Sequence, residues 1–270
     1  MKIVMGKINS LLVSNPIFGF VILTFFISAA SFFIMLKIPE AQTPESMKGL
    51  PVWLIAIWSP NMAAIIIWLA QKKALSSIQA AFSIPQFSWW MLLVLIPLLV
   101  AGILLIIEVS KGNTVQWSNF KLSYVLPLVF INLIMGPLGE ELGWRGFLYP
   151  LLKNSYGWMG SALAVGAIWA IWHSPLWLLD SPQSKIPFWA FSINVVLLSI
   201  LMSIVYNHSQ DSIIAVVLLH LTFNLSLGFI DILGSHQSGI YVIKSLYIYV
   251  PLVLVLIGIH EFTKTSLCEV

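Results

Sequence analysis

Charge is what this sequence has least of. Asp, Glu, Lys and Arg make up 9% of its 270 residues, against 59% hydrophobic, whereas a soluble domain carries about 25% charged residues. A water-soluble fold is excluded, and the mean hydropathy of +0.96 marks a polytopic membrane protein. The net charge of +3 is spread along the chain, so the basic footprint of a nucleic-acid binder is missing. Cysteine is reduced to Cys268, which excludes a disulfide framework and a cysteine-ligated metal. Internal repeats and low-complexity tracts are absent, which counts against an inverted-repeat transporter. No segment reads as a soluble domain, so 1–270 is expected to be a single integral membrane domain.

What is present is apolar sequence in lengths of about 20 residues, enough for a helix to cross a bilayer. Eight such stretches appear, at 17–36, 52–70, 89–107, 122–138 (running on towards Tyr149), 158–179, 187–206, 212–230 and 240–259. They predict an all-α bundle of about eight transmembrane helices. The first follows Lys2 and Lys7 as a signal peptide would, but it exceeds the roughly 7–15 apolar residues of a signal sequence and reads as an uncleaved span. The tail Cys268-Glu269-Val270 is one residue short of a prenylation signal, so this chain is not expected to be prenylated that way. Lysines divide almost evenly between the two sides; Lys72-Lys73 and the N-terminal pair favour a cytoplasmic N-terminus. Trp89, Trp90, Trp158, Trp177 and Trp189 fall near span ends, where tryptophan commonly marks the interface.

Against this background, Gly139-Glu140-Glu141-Leu142-Gly143-Trp144-Arg145 stands out, because it continues an apolar run without a linker. An ionisable group in hydrocarbon costs at least about 2.5–3.5 kcal/mol and usually faces a bundle interior or a watery cavity. Glu141 and Arg145 are four apart with the acid first, the better order for a helical ion pair. Glu140 is turned about 100° away and is left over by that pair, as a general acid or base would be. A structural ion pair accounts equally well for Glu141 and Arg145. His173, followed by a helix-disturbing Pro175, lies in the fifth stretch. His220 and Asn224, four apart and so on one helical face, lie in the seventh. Taken singly, each suits an interhelical hydrogen bond. Counted from the side where the fourth span ends, Glu140 lies ~14 Å deep, His220 ~12 Å, Asn224 ~18 Å and His173 ~22 Å at helical rise. One site built from three helices is therefore expected, opening towards that side. Small residues there, Gly139, Gly143, Gly146, Gly160 and Ala164, suit close helix packing. Asn61, Asn132 and Asn194 are expected to make interhelical hydrogen bonds. Asp180, Asp211 and Asp231 are expected at the interface, and His208, His236 and His260 in loops or at span ends.

Three motifs in order, Glu140-Glu141-x-x-x-Arg145, Trp169-x-x-x-His173 and His220-x-x-x-Asn224, resemble the CAAX-protease and bacteriocin-processing family of intramembrane endopeptidases. The resemblance covers about 120–230, which it implies is the catalytic core. It departs from the family pattern at Trp169, where phenylalanine is usual. It implies hydrolysis of a peptide bond in a membrane-associated, prenylated or leader-bearing substrate at the cell membrane. Carried over by position, Glu140 with His173 activates water, His220 and Asn224 donate to the developing oxyanion, and Glu141 with Arg145 supports Glu140 or binds substrate. No cofactor is expected. The alternative is a zinc ion on His173, His220 and a glutamate, but the sequence lacks the His-Glu-x-x-His spacing that pre-organises zinc. A proton-coupled transporter and a non-catalytic immunity partner are the rival functions. The first could use the same buried ionisable residues as a proton relay but should show broken helices in paired halves, which the sequence does not; the second gives no reason for an acid, a base and hydrogen-bond donors at similar depth.

Overall fold

The computed structural model describes residues 14–72, 82–85, 89–115, 121–233 and 238–268. Lys2, Lys7, Lys73 and His236 lie outside them, as do the side chains of Trp89, Trp90, Asp231, Lys264 and Cys268. The regular elements among the described residues are all helical. They are α1 (Pro16–Lys37), α2 (Gly49–Ile57), α3 (Ser59–Ala70), α4 (Ile96–Ser110), α5 (Leu122–Ile134), α6 (Pro137–Gly143), a π-helical turn (Trp144–Leu148), α7 (Tyr149–Trp172), α8 (Phe188–His208), α9 (Ile213–Leu233) and α10 (Ser238–Cys268), with short 3-10 turns between some of them. Proline in the first turn begins α1, α3, α4, α6 and α7, a position where its missing N–H costs no helical hydrogen bond.

Six described helices are long and apolar enough to cross a membrane, and seven if α2 and α3, bent by 57°, form one broken span. One of the six, Val125–Leu178, is 54 residues long, about 80 Å at helical rise and well over one bilayer thickness. It is interrupted at Gly157, which has φ 66° and ψ 176°. That backbone is open to glycine and strained for side chains, and it divides the stretch where the fourth and fifth spans were expected to part. With that division the count agrees with about eight. Large side chains such as Phe26, Leu126, Phe130 and Leu254 are exposed on the outer faces, as expected where lipid is the solvent.

The core forms around the π-helical turn. Phe20 of α1 packs edge-on to Trp144 and stacked on Phe147, with ring centroids 5.4 and 5.3 Å apart; Trp68 meets Phe147 at 5.4 Å, and Trp172 meets Trp144 at 5.9 Å. Such pairs contribute about 0.5–1.5 kcal/mol each beyond their buried area. Three expected small-residue contacts are present. A Cβ on Gly139 would stand 2.7 Å from Trp58, one on Gly143 2.5 Å from the Pro60 backbone, and one on Gly146 2.6 Å from Ile213. In α7 the close approach is made elsewhere. Gly160 faces only its own Tyr156, while a Cβ on Gly166 would come within 2.9 Å of Ser199 in α8.

Asn194 bridges helices, donating to Val242 O at 3.1 Å, but Asn132 donates to Leu128 O within its own helix. Trp158 is buried against His260 and donates its indole N–H to Glu261. His208 and His260 lie at span ends as expected: His208 ends α8, and His260, 2.9 Å away, is three residues before the end of the apolar span Gly239–Thr263.

Candidate functional site

The site begins with a break in the chain. Helix α5 stops at Ile134, and Gly136, with φ −160° and ψ −107°, turns the chain into α6. Helix α6 is only seven residues long, too short to be stable alone, and it is held from outside. Asn61 of α3 donates to Leu138 O at 2.6 Å and accepts from Gly143 N–H at 2.9 Å, clamping both ends with one buried amide. Trp58 donates to Ile134 O at 3.0 Å just before the break. Sequence reasoning placed Asn61 among generic interhelical contacts.

Helix α6 presents Glu140 and Glu141, and the two are treated differently. Arg145, on the π-helical turn, donates through Nη1 to both Glu141 oxygens at 3.1 and 3.0 Å. His220 of α9 adds its Nδ1 at 2.7 Å from Glu141 Oε1. Glu141 and Arg145 are fully buried and His220 nearly so. π-helical turns are uncommon and recur at functional sites; here the turn immediately follows the clamped Gly143 N–H. Arg145 also lies over the Trp169 ring, its guanidinium carbon 4.5 Å from the centroid, while its Nε and Nη2 have no hydrogen-bond partner among the described residues.

Glu140, 4% exposed, takes no part in that ion pair. Its Oε2 accepts a hydrogen bond from the Trp169 indole at 2.7 Å. His173 follows the last residue of α7, half-buried, with Nδ1 2.8 Å from the Trp169 carbonyl oxygen. A carbonyl can only accept, so Nδ1 carries the hydrogen, and in the neutral ring Nε2 holds the lone pair. The same reasoning applies to His220: facing a carboxylate already paired with Arg145, its Nδ1 donates. Pro175 does not kink a continuing helix. Helix α7 ends at Trp172, and Pro175 begins a short 3-10 turn, Ser174–Leu178.

Asn224 is half-buried on α9, one turn after His220. Its Nδ2 lies against the chain break, 2.8 Å from where a Cβ on Gly136 would stand. The turn between α8 and α9 is level with Tyr149: Asn207 and Tyr149 exchange hydrogen bonds at 3.1 and 3.3 Å, and Gly146 abuts Ile213. Glu140 and His220 are thus counted from a common level, so their similar depths lead to one place. The ion pair expected from the i, i+4 spacing is present. The Glu141–His220 pair and the Trp169–Glu140 bond were not expected, and no local spacing signals either. Among the described residues, no three His, Cys, Asp or Glu side chains are arranged to hold a metal ion.

Fold and site together define a polytopic helical membrane protein with a buried constellation of two glutamates, two histidines, an arginine and a tryptophan. The segment 122–226, which carries every one of these residues, matches the family described as type II CAAX prenyl endopeptidase Rce1-like. The CAAX prenyl protease 2 of Methanococcus maripaludis is 28% identical over 115 residues, which are 40% of this chain and 42% of that relative. The similarity therefore spans less than half of either protein.

Proposed function

We propose that this protein is an intramembrane endopeptidase of the cell membrane that hydrolyses a peptide bond of a membrane-associated peptide with water activated at Glu140. One observation carries the reading. Of two adjacent buried carboxylates, Glu141 is compensated by Arg145 and His220, whereas Glu140 is held by a neutral indole N–H. A carboxylate with no cation hydrogen-bonded to it retains more of the basicity a general base needs.

In the proposed reaction Glu140 takes a proton from water as the water oxygen adds to the carbonyl carbon. His173 Nε2 accepts the water's other hydrogen and orients it. Asn224 Nδ2 and His220 donate to the oxyanion, where one such donor is commonly worth about 2.7–4 kcal/mol. Because His220 Nδ1 is given to Glu141, Nε2 donates only from the imidazolium, whose charge Glu141 offsets. Collapse breaks the C–N bond, and the proton held at Glu140 passes to the leaving nitrogen. Zinc is the alternative. Histidines with Nδ1 held by a fixed acceptor are oriented as metal ligands often are, but the set does not close on a shared point, and no step here passes through a metal.

The matched family and relative carry CAAX prenyl protease descriptions, so a farnesylated peptide ending in a C-a-a-X sequence is the first substrate to test, with an unprenylated membrane peptide as the second. In liposomes, Glu140→Gln is expected to lower turnover by at least ~10²–10⁴-fold with the melting temperature kept. Turnover near the wild-type rate would end the proposal.

A further inference from the structure

Trp169 touches every charged or titratable group of the site except Glu141. Its indole N–H donates to Glu140 at 2.7 Å, its carbonyl accepts from His173 at 2.8 Å, its ring face lies under Arg145 at 4.5 Å, and its edge meets His220 with centroids 5.1 Å apart. At 2% exposure it is locked on all sides. A side chain that only filled space would need no donor, and tryptophan has a single donor and no side-chain acceptor. Here that donor is spent on the one carboxylate oxygen set apart from the ion pair.

We infer that Trp169 is the positioning residue for Glu140, fixing through its indole N–H which carboxylate oxygen is left to receive the proton from water. The inference rests on the reading of Glu140 as the general base. With Oε2 occupied by the indole, Oε1 is the proton acceptor. The carbonyl of the same residue orients His173, so one rigid side chain and its own backbone set the relation between the two groups that hold the water. Rotation of Glu140 about its last torsion would exchange the oxygens at little intrinsic cost. The indole bond opposes that exchange.

Replacement of Trp169 by benzothienylalanine, in which sulfur stands for the N–H, keeps the shape and removes the donor; Trp169→Phe is the simpler companion. Each is expected to lower kcat about ten- to hundredfold, the range for a hydrogen bond to a charged group, with KM unchanged and the melting temperature kept for the sulfur form. In a Glu140→Gln background the same replacement is expected to add no further loss. In indole-¹⁵N-labelled protein, the Trp169 N–H resonance, assigned by its absence in Trp169→Phe, is expected to move in Glu140→Leu. Wild-type kcat in the sulfur form, or an indole resonance unmoved by Glu140→Leu, would overturn the role of Trp169 and leave that of Glu140 standing. Undiminished turnover in Glu140→Gln would bring down both. The resonance test applies even if neither probe peptide is cleaved.

Discussion

Two glutamates next to each other in sequence hold opposite positions in the charge balance of this bundle. Glu141 has two nitrogen partners within 3.1 Å, and its oxygen Oε1 serves both. Removing one member of a buried pair leaves the other charge uncompensated, which typically costs about 3–5 kcal/mol. Glu141→Gln is therefore expected to lower the folded yield and the melting temperature strongly, with Arg145 stranded. The double substitution Glu141→Leu with Arg145→Met should recover much of that stability without recovering activity. If Glu141→Gln melts like the wild type, the pair contributes no structural support. Glu140→Gln leaves the ion pair intact, and its effect should appear in turnover alone. Activity and stability thus separate at neighbouring positions.

The short helix α6 owes its place to contacts that its own sequence does not contain. Asn61 supplies a donor and an acceptor to backbone groups five residues apart, Leu138 O and Gly143 N–H. A hydrogen bond of this kind contributes about 0.5–1.5 kcal/mol net. Asn61→Leu, which removes both, is expected to destabilise the protein by about 1–3 kcal/mol and to lower turnover, because α6 carries Glu140. Thermal melting in detergent with a parallel liposome assay checks both. A stable and fully active Asn61→Leu would show that the clamp is dispensable. At the other end of α6, Gly136→Ala sets a methyl group 2.8 Å from Asn224 Nδ2. The amide has to give way, so turnover should fall while the melting temperature changes by less than in Asn61→Leu. Equal effects on both quantities would mean that the substitution disturbs the helix break and not the proposed oxyanion donor.

Orientation and access belong to the molecule as a whole. The level shared by Tyr149, Asn207 and Ile213 lies nine residues from Glu140 and seven from His220, about 14 and 10 Å at helical rise. The site is expected to open towards that side, and a cytoplasmic N-terminus makes it the cytoplasmic side. In a Cys268→Ser background, cysteines placed beside the site should react faster with a polar maleimide added from the cytoplasm. Faster reaction from outside would reverse the assignment. Metal dependence is read on the intact protein as well. Chelator-stripped protein is expected to keep its turnover, and activity lost on stripping and restored by stoichiometric zinc would reassign His173, His220 and a glutamate as ligands.

Much of this was legible in the amino-acid sequence. Hydropathy alone delimits the spans, since a helix in lipid must be apolar for about 20 residues whatever it packs against. The Glu141–Arg145 pair could be read because an i, i+4 spacing is a property of one helix. Spacing likewise put His220 and Asn224 on one face. Depth brought Glu140, His220 and Asn224 to the same neighbourhood, because helical rise is constant. Tertiary structure alone decided which groups touch. Asn61 meets α6 across 77 and 82 residues, Trp169 meets Glu140 across 29, and His220 meets Glu141 across 79. Those contacts depend on how each helix is rotated about its axis and where it crosses its neighbours. A membrane helix hides its rotation, because lipid and protein interior are both apolar and no amphipathic stripe marks the buried face. Whether the indole N–H of Trp169 turns towards Glu140 or away is settled by that rotation, and the sequence around Glu140 does not record it.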